Sequence, residues 1–329
     1  MVIAQVRRTI EERGLIPSGA RVLCACSGGP DSAALLFALS RLAAEMSFEL
    51  EAASVDHGLR PEAALDVAIA AQQAAAVQVR FHALRVSVER RPSLQARARE
   101  ARYEALLRLA GERDASRVAV GHTRDDQAET VVLRLIRGSG LHGLGAIDPD
   151  RTDGVIRPLI DCDRADVHRL AREHFREIAD DASNSDLRFE RVRIRAHVMP
   201  LLLRENPQLA RHLSALADEA REYRVPLEAA ANALLDEAQA GLSPGSLRIE
   251  ALAGRPAVLR RAALRAWLHK LGATPVSRVH VEEVDHAVRV HRGHIWLANG
   301  FCARVEGDGL VHLRPSRPGP GEKPQADEP

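Results

Sequence analysis

An α/β fold with a doubly wound parallel sheet, followed by a smaller and mostly helical domain, is the architecture that this 329-residue sequence predicts. Three observations carry it. Short apolar runs alternate with helical stretches up to about residue 180, the pattern of a parallel sheet with helices on both faces. A Ser/Gly turn joins the first of these runs directly to a helix. From about residue 187 the alternation gives way to an Arg-rich stretch and then to mostly helical patterns as far as about residue 271.

In chain order, strands are predicted over 22–26, 49–55, 80–86, 117–120 and 155–159, and helices over 32–45, 61–76, 94–110, 126–137 and 164–174. In sheets of this kind the ligand sits beyond the carboxyl ends of the strands. The chemically distinctive residues fall there: 27–32 after the first strand, Asp56 and His57 after the second, 121–126 after the fourth. After Gly293 the apolar runs 295–297, 301–305 and 310–313, separated by glycines, predict a small β element. The chain thus divides into 1–205, 206–315 and a Pro, Gly and charge-rich tail, 316–329, expected to be disordered. No internal repeat is visible.

Length allows two domains and a substantial core. Scarce aromatics, 3% of residues, beside abundant Ala and Leu favour helix. A net charge of +1 gives no bulk signature of nucleic-acid binding, yet almost every cation is arginine, with lysine only at Lys270 and Lys323. Arginine clusters can fork onto phosphates. The four cysteines form no CxxC: Cys24 and Cys26 share a strand face, and Cys162 and Cys302 are remote. Buried reduced thiols in a cytoplasmic protein are expected. No segment has the length or hydropathy of a leader or a membrane span, so a soluble chain with no membrane partner is expected.

The first motif is Ser27-Gly28-Gly29-Pro30-Asp31-Ser32. Its glycines let an anion approach the backbone, the following helix offers free N–H groups, and Ser27 and Ser32 add hydroxyls. It lacks the lysine and spacing of a Walker A loop. Asp56 and His57, within Val55-Asp56-His57-Gly58-Leu59-Arg60, suit a nucleotide contact by position, or an ordinary strand-to-helix turn. In Gly121-His122-Thr123-Arg124-Asp125-Asp126-Gln127-Ala128-Glu129-Thr130, Asp125 and Asp126 open a helix, where carboxylates are favoured. Asp126 and Glu129 share a helix face and could hold Mg²⁺ or a cationic substrate. His122 could meet phosphate, move a proton or fill the turn. The third cluster is Asp181-Ala182-Ser183-Asn184 followed by an Arg run. In a helix, Arg188, Arg191 and Arg195 make one basic stripe. With no acidic partner at regular spacing except Glu190, that stripe is expected to meet phosphate.

The first motif resembles the SGGxDS pyrophosphate loop of the N-type ATP pyrophosphatases, which cleave ATP between the α and β phosphates. Together the motifs resemble the tRNA(Ile)-lysidine synthetase family: SGGPDS at 27–32, VDHGLR at 55–60, DDQAET with LRLIRGSG across 125–140, RPLID at 157–161, and DASN with the Arg run. They span the first 200 residues or so. Residues 259–272 and 278–290 resemble, more weakly, the family's first C-terminal domain, and the chain reads as a shorter variant without a full second one. Many relatives carry a second histidine where Thr123 stands and an asparagine where Val192 stands.

The resemblance implies the N-type ATP pyrophosphatase fold over 1–205 and a tRNA-binding domain over 206–315. It implies that ATP adenylates C2 of the wobble cytidine in a CAU-anticodon tRNA(Ile), and that the L-lysine ε-amine then displaces AMP. Carried over, Ser27, Gly28, Gly29, Pro30, Asp31, Ser32, Asp56 and His57 bind ATP. Asp31 holds Mg²⁺, which neutralises charge on the departing pyrophosphate. Asp31, His122 and Asp126 are the catalytic candidates, Asp126 and Glu129 receive lysine, and Arg191, Arg193 and Arg195 supply counter-charge to carboxylate or phosphate. A homodimer is left open. The alternative is a tRNA thiolase of the same superfamily, whose chemistry usually wants the CxxC pair or cluster ligands that this chain lacks. A non-catalytic RNA-binding module is disfavoured by the intact Ser27, Asp31, Asp126 and Glu129.

Overall fold

A computed structural model describes residues 1–56, 58, 63–86, 94–179, 186–297, 300–305 and 307–315. The expectations for His57, for the start of the 61–76 helix, for 181–184 and for the 316–329 tail lie outside the described residues. The chain separates into two compact units, one comprising Met1–Gly138 and Gly143–Asp218 and the other Ser139–His142 and Glu219–Pro329.

The first unit opens with α1 (Val2–Arg13), absent from the sequence-based reading although Val2, Val6 and Ile10 recur every fourth residue and are buried. There follow β1 (Arg21–Ala25), α2 (Pro30–Leu42), β2 (Glu49–Asp56), α3 (Ala63–Ala76), β3 (Arg80–Arg85), α4 (Leu94–Glu112), β4 (Arg117–Ala119) and α5 (Arg124–Ile136). Beyond the short α6 (Leu141–Leu144) come β5 (Val155–Ile156) and α7 (Arg164–His174). The strands form one parallel sheet in the order β3-β2-β1-β4-β5, as the alternation predicts. β5 stops at Ile156 rather than at residue 159, because Pro158 has no N–H to continue the ladder.

Residues of β1 alternate between two cores. Val22 and Cys24 join the face covered by α1, α2, α3 and α7, and Leu23 joins Leu106 and Leu109 of α4 on the other. Ala52 and Ala53 of β2 divide the same way. Each fully buried leucine of α2, such as Leu35 or Leu39, stabilises by about 1.5–3 kcal/mol. The sheet is therefore doubly wound, and its order reverses at β1, with β2 on one side and β4 on the other. That reversal opens a crevice at the carboxyl ends of β1 and β4. All four cysteines are buried and free.

After α7 the first unit continues through α8 (Glu190–Arg193), a π-helical turn (Ile194–Val198) and α9 (Met199–Glu205) into α10 (Leu209–Gln239), which the unit boundary crosses. Ala128, Val131, Ile194, Met199, Leu213 and Ala217 pack together, so α5 and this segment share a core. The second unit adds β6 (Ser246–Arg248), α11 (Ile249–Leu252), α12 (Ala257–Lys270), α13 (Arg278–Val290), β7 (Gly293–Leu297), β8 (Phe301–Val305) and β9 (Leu310–Pro315). Its sheet is antiparallel in the order β6-β9-β8-β7. Trp267, Leu264, Val281, Val284 and Val311 fill its core. Among the described residues no helix is long and apolar enough to cross a membrane.

Candidate active site

The loop after β1 is held by its own hydroxyls. The Ser27 N–H donates to Ser32 Oγ (3.0 Å), the two Oγ atoms are 3.2 Å apart, and Ser32 Oγ also donates to the Gly29 carbonyl (3.0 Å). Gly28 has φ 79°, and a Cβ there would lie 2.8 Å from the Asp66 carbonyl oxygen, so only glycine fits. Pro30 occupies the first turn of α2, where its missing N–H is harmless. Asp31 follows it, partly exposed, with His168 Nε2 of α7 3.2 Å from its Oδ1.

The loop after β4 lies directly against this one. A Cβ on Gly121 would come within 3.0 Å of the Asp31 carbonyl group. His122 comes next. Its Nδ1 is buried without a hydrogen-bond partner among the described residues. Burial pushes the imidazole down to about 3, with Arg157 and Arg99 adding to the shift and Asp126 opposing it. At neutral pH it is an uncharged imidazole.

Thr123 caps α5 in a reciprocal box: the Thr123 N–H and Oγ1 donate to Asp126 Oδ2 (2.8 and 2.9 Å), while the Asp126 N–H reaches Thr123 Oγ1. Asp126 thus takes the capping role that the sequence left open. Its other oxygen, Oδ1, accepts from Arg164 (2.7 Å), Arg191 (3.0 Å) and Arg195 (3.2 Å). Glu129 Oε1 accepts from Arg164 (2.7 Å) and Arg195 (2.8 Å), and Oε2 from Arg195 (2.9 Å) and Arg191 (3.3 Å). Both carboxylates are buried, and burial would raise their pKa values. The guanidiniums overcome it: Arg164 and Arg191 hold Asp126 far below the ordinary carboxylate range, and Arg195 and Arg164 hold Glu129 below it. The cluster carries three cations on two anions. Arg164 and its partners were invisible as a group in the sequence, being separated by 35 and 38 positions. Asp125 completes the arrangement by accepting from the Arg164 N–H (2.8 Å) at the start of α7.

Two expectations for the Arg run need correction. Arg188 is not in a helical stripe: it precedes α8, is exposed and pairs with Asp186. Nor do the other arginines lack acids, since Arg191 and Arg195 meet Asp126 and Glu129 across the fold. Arg193 turns away and donates to the carbonyls of Leu187 and Arg188. Asp56 Oδ1 accepts from the Gly58 N–H (2.7 Å), an Asx turn at the end of β2. Among the described residues no group of three or more His, Cys, Asp or Glu could hold a metal by itself. The lone Asp31 carboxylate suits Mg²⁺, which takes one or two protein carboxylates and fills its sphere with phosphate and water.

A family profile described as the PP-loop domain matches residues 2–202, and one described as the TilS substrate binding domain matches 247–310. The chain is 40% identical over 278 residues to a tRNA(Ile)-lysidine synthase of Mycolicibacterium paratuberculosis, covering 84% of this chain and 83% of that protein. It is 36% identical to the tRNA(Ile)-lysidine synthase of Thermobifida fusca, with 89% and 90% covered. The chain belongs to the tRNA(Ile)-lysidine synthase family. It is accordingly an ATP-dependent ligase built on a PP-loop domain. In fold alone, it is also similar to the U34-tRNA thiolase NcsA from Methanococcus maripaludis with its [4Fe-4S] cluster, at 19% identity and TM-score 0.56, covering 67% of this chain and 78% of that one. The thiolase alternative therefore shares the architecture, while the curated relatives of this lysidine synthase family member bear the other activity.

Proposed function

We propose that this protein ligates L-lysine to the wobble cytidine of the CAU-anticodon tRNA(Ile): ATP adenylates the C2 carbonyl oxygen of the base, releasing pyrophosphate, and the lysine amine then attacks the activated C2 and displaces AMP. The observation that carries the proposal is the juxtaposition at one crevice: the anion-binding loop after β1 against Gly121, and the mixed carboxylate–guanidinium cluster at the head of the adjoining α5. Backbone N–H groups at the start of α2, with Ser27 and Ser32, receive the ATP phosphates. Asp31 would hold Mg²⁺, which supplies neutralisation of the charge developing on pyrophosphate.

Three guanidiniums and two carboxylates suit a zwitterion better than a lone ammonium. Lysine's α-ammonium meets Asp126 and Glu129, and its α-carboxylate takes the surplus guanidinium charge of Arg191 and Arg195. That leaves the ε-amine free to attack, which it must do uncharged. His122, with its pKa near 3, is too weak a base at neutral pH to take the amine proton. It serves as a neutral hydrogen-bonding group toward the nucleotide.

The test combines the protein with ATP, Mg²⁺, labelled lysine and unmodified tRNA bearing the CAU anticodon. Label should enter tRNA and survive mild alkali, because the product is a C–N bond to a base rather than an aminoacyl ester. Alkali-labile label would indicate an aminoacylating enzyme, sulfur incorporated in place of lysine from an added sulfide donor a thiolase, and no transfer would defeat the proposal.

A further inference from the structure

Gln73 stands on α3, outside every motif that the sequence singles out, and it is 2% exposed. Its Nε2 donates to the carbonyl oxygens of Gly28 (2.9 Å) and Glu177 (3.0 Å). The Gly28 oxygen also accepts from the Ala179 N–H (2.9 Å). Gln73 Oε1 is buried with no hydrogen-bond partner among the described residues. The amide can face only one way, because reversal would set its oxygen against two carbonyl oxygens. A buried acceptor left unpaired is unfavourable, and a methionine of similar length would avoid it. What favours glutamine here is what its nitrogen holds.

It holds one peptide plane. The Gly28–Gly29 peptide unit directs its C=O and N–H to opposite sides. With the carbonyl tied inward to Gln73 and Ala179, the Gly29 N–H faces outward, where it meets the exposed Ser27 hydroxyl at 3.4 Å. That distance makes a weak bond, readily exchanged for a charged acceptor. Glycine on both sides leaves this plane free to rotate, and half a turn would present a carbonyl oxygen to the anion instead of a donor.

We infer that Gln73 is a positioning residue for the phosphate loop: by fixing the Gly28–Gly29 peptide it keeps the Gly29 N–H aimed at the ATP phosphates. The inference rests on the assignment of residues 27–32 to ATP.

Gln73→Met keeps the length and removes both donors, and Gln73→Glu sets a carboxylate against two carbonyl oxygens. The KM for ATP should rise about ten- to a hundred-fold, the loss expected for one hydrogen bond to a charged group. The KM for lysine and the affinity for tRNA should stay within about two-fold of the parent. A general loosening of the fold would move all three together and overturn the inference. Ser27→Ala serves as the control. If it raises the KM for ATP and the Gln73 variants do not, the positioning role fails while the loop assignment stands. If it too leaves ATP unaffected, the loop assignment fails and takes this inference with it. Should neither Gln73 variant fold, the parent protein labelled with ¹⁵N-glycine and ¹⁵N-glutamine decides. The Gly29 amide and the Gln73 side-chain amide should both shift on addition of ATP, and a Gln73 amide that exchanges freely with water and ignores ATP would overturn the proposal.

Discussion

Arg164 bridges Asp126 and Glu129 at 2.7 Å each, and its position explains why two carboxylates can stay ionised where burial disfavours them. Removing one partner of such a set leaves buried charge uncompensated, so Arg164→Leu should destabilise by roughly 3 kcal/mol at pH 7. The pH dependence has a definite sign. Both carboxylates titrate lower folded than unfolded, so their stabilisation is present above the unfolded values, near 3.8 and 4.5, and is lost as pH falls through the folded ones. The variant's carboxylates protonate more easily, so its deficit against the parent should shrink between pH 6 and pH 3. Parallel stability curves across that range, from denaturant melts, would refute the account. The proposed function divides along the same residues. Asp31→Ala and Ser27→Ala should cut AMP formation far more than tRNA binding, whereas Glu129→Ala should chiefly raise the lysine requirement. Equal loss of pyrophosphate release in all three would contradict that division. Asp126 and Glu129 were legible from their spacing of three on one helix, because helical geometry alone makes them neighbours. Arg164 and His168 were not, because what brings them to Asp126 and Asp31 is the packing of α7 on α2, which no local pattern encodes.

At the scale of elements, the strands of the parallel sheet and the helices that alternate with them were legible because apolar runs and glycine turns repeat at the spacing of such a sheet, whereas α1, which precedes the first strand, lies outside that alternation. Their ends moved for local reasons. Helix α5 begins at Arg124 rather than Asp126 because Thr123 supplies the cap, and a threonine can cap or simply line a turn until the reciprocal bond to Asp126 is seen. Thr123→Ala removes that cap and should cost about 1 kcal/mol. It also removes one of the two hydrogen bonds to Asp126 Oδ2, leaving the one from the backbone N–H, so the lysine KM should rise with it, and a stability loss with unchanged lysine KM would separate the two effects. The Arg run misled for a different reason. Its regular spacing suggested one helical stripe, yet α8 spans only Glu190–Arg193 before the π-helical turn, and Arg188 lies outside it. Arg188→Gln should therefore change stability by less than about 0.5 kcal/mol and leave the ATP and lysine constants alone. Arg191→Gln or Arg195→Gln should raise the lysine requirement, because each guanidinium reaches both carboxylates. An Arg188 effect as large as that of Arg195 would restore the stripe.

On the scale of the whole molecule, each compact unit carries its own core and sheet, and the loop proposed to bind ATP belongs to the first. A ligand that binds the native state stabilises the unit that holds its site, by about 2.7 kcal/mol at a hundred times its dissociation constant. The second unit has its own reporters. The chain's two tryptophans, Trp267 buried and Trp296 exposed, both lie there, so tryptophan emission follows that unit and is blind to the first. Helix α10 runs through the boundary, placing Leu213 and Ala217 in one core and Leu234, Leu235 and Ala238 in the other. Its two halves can nonetheless lose their packing separately, since most helical stability comes from the face that is buried. Calorimetry should therefore resolve two transitions, with saturating ATP and Mg²⁺ raising only one. The melt followed by tryptophan emission should match the other and stay within about a degree of its ATP-free midpoint. Asp285→Asn would mark that second transition independently, because Asp285 is buried against Arg260 in the second unit and breaking the pair lowers its midpoint alone. A single transition that ATP shifts equally by heat capacity and by tryptophan emission would show that the two cores unfold as one.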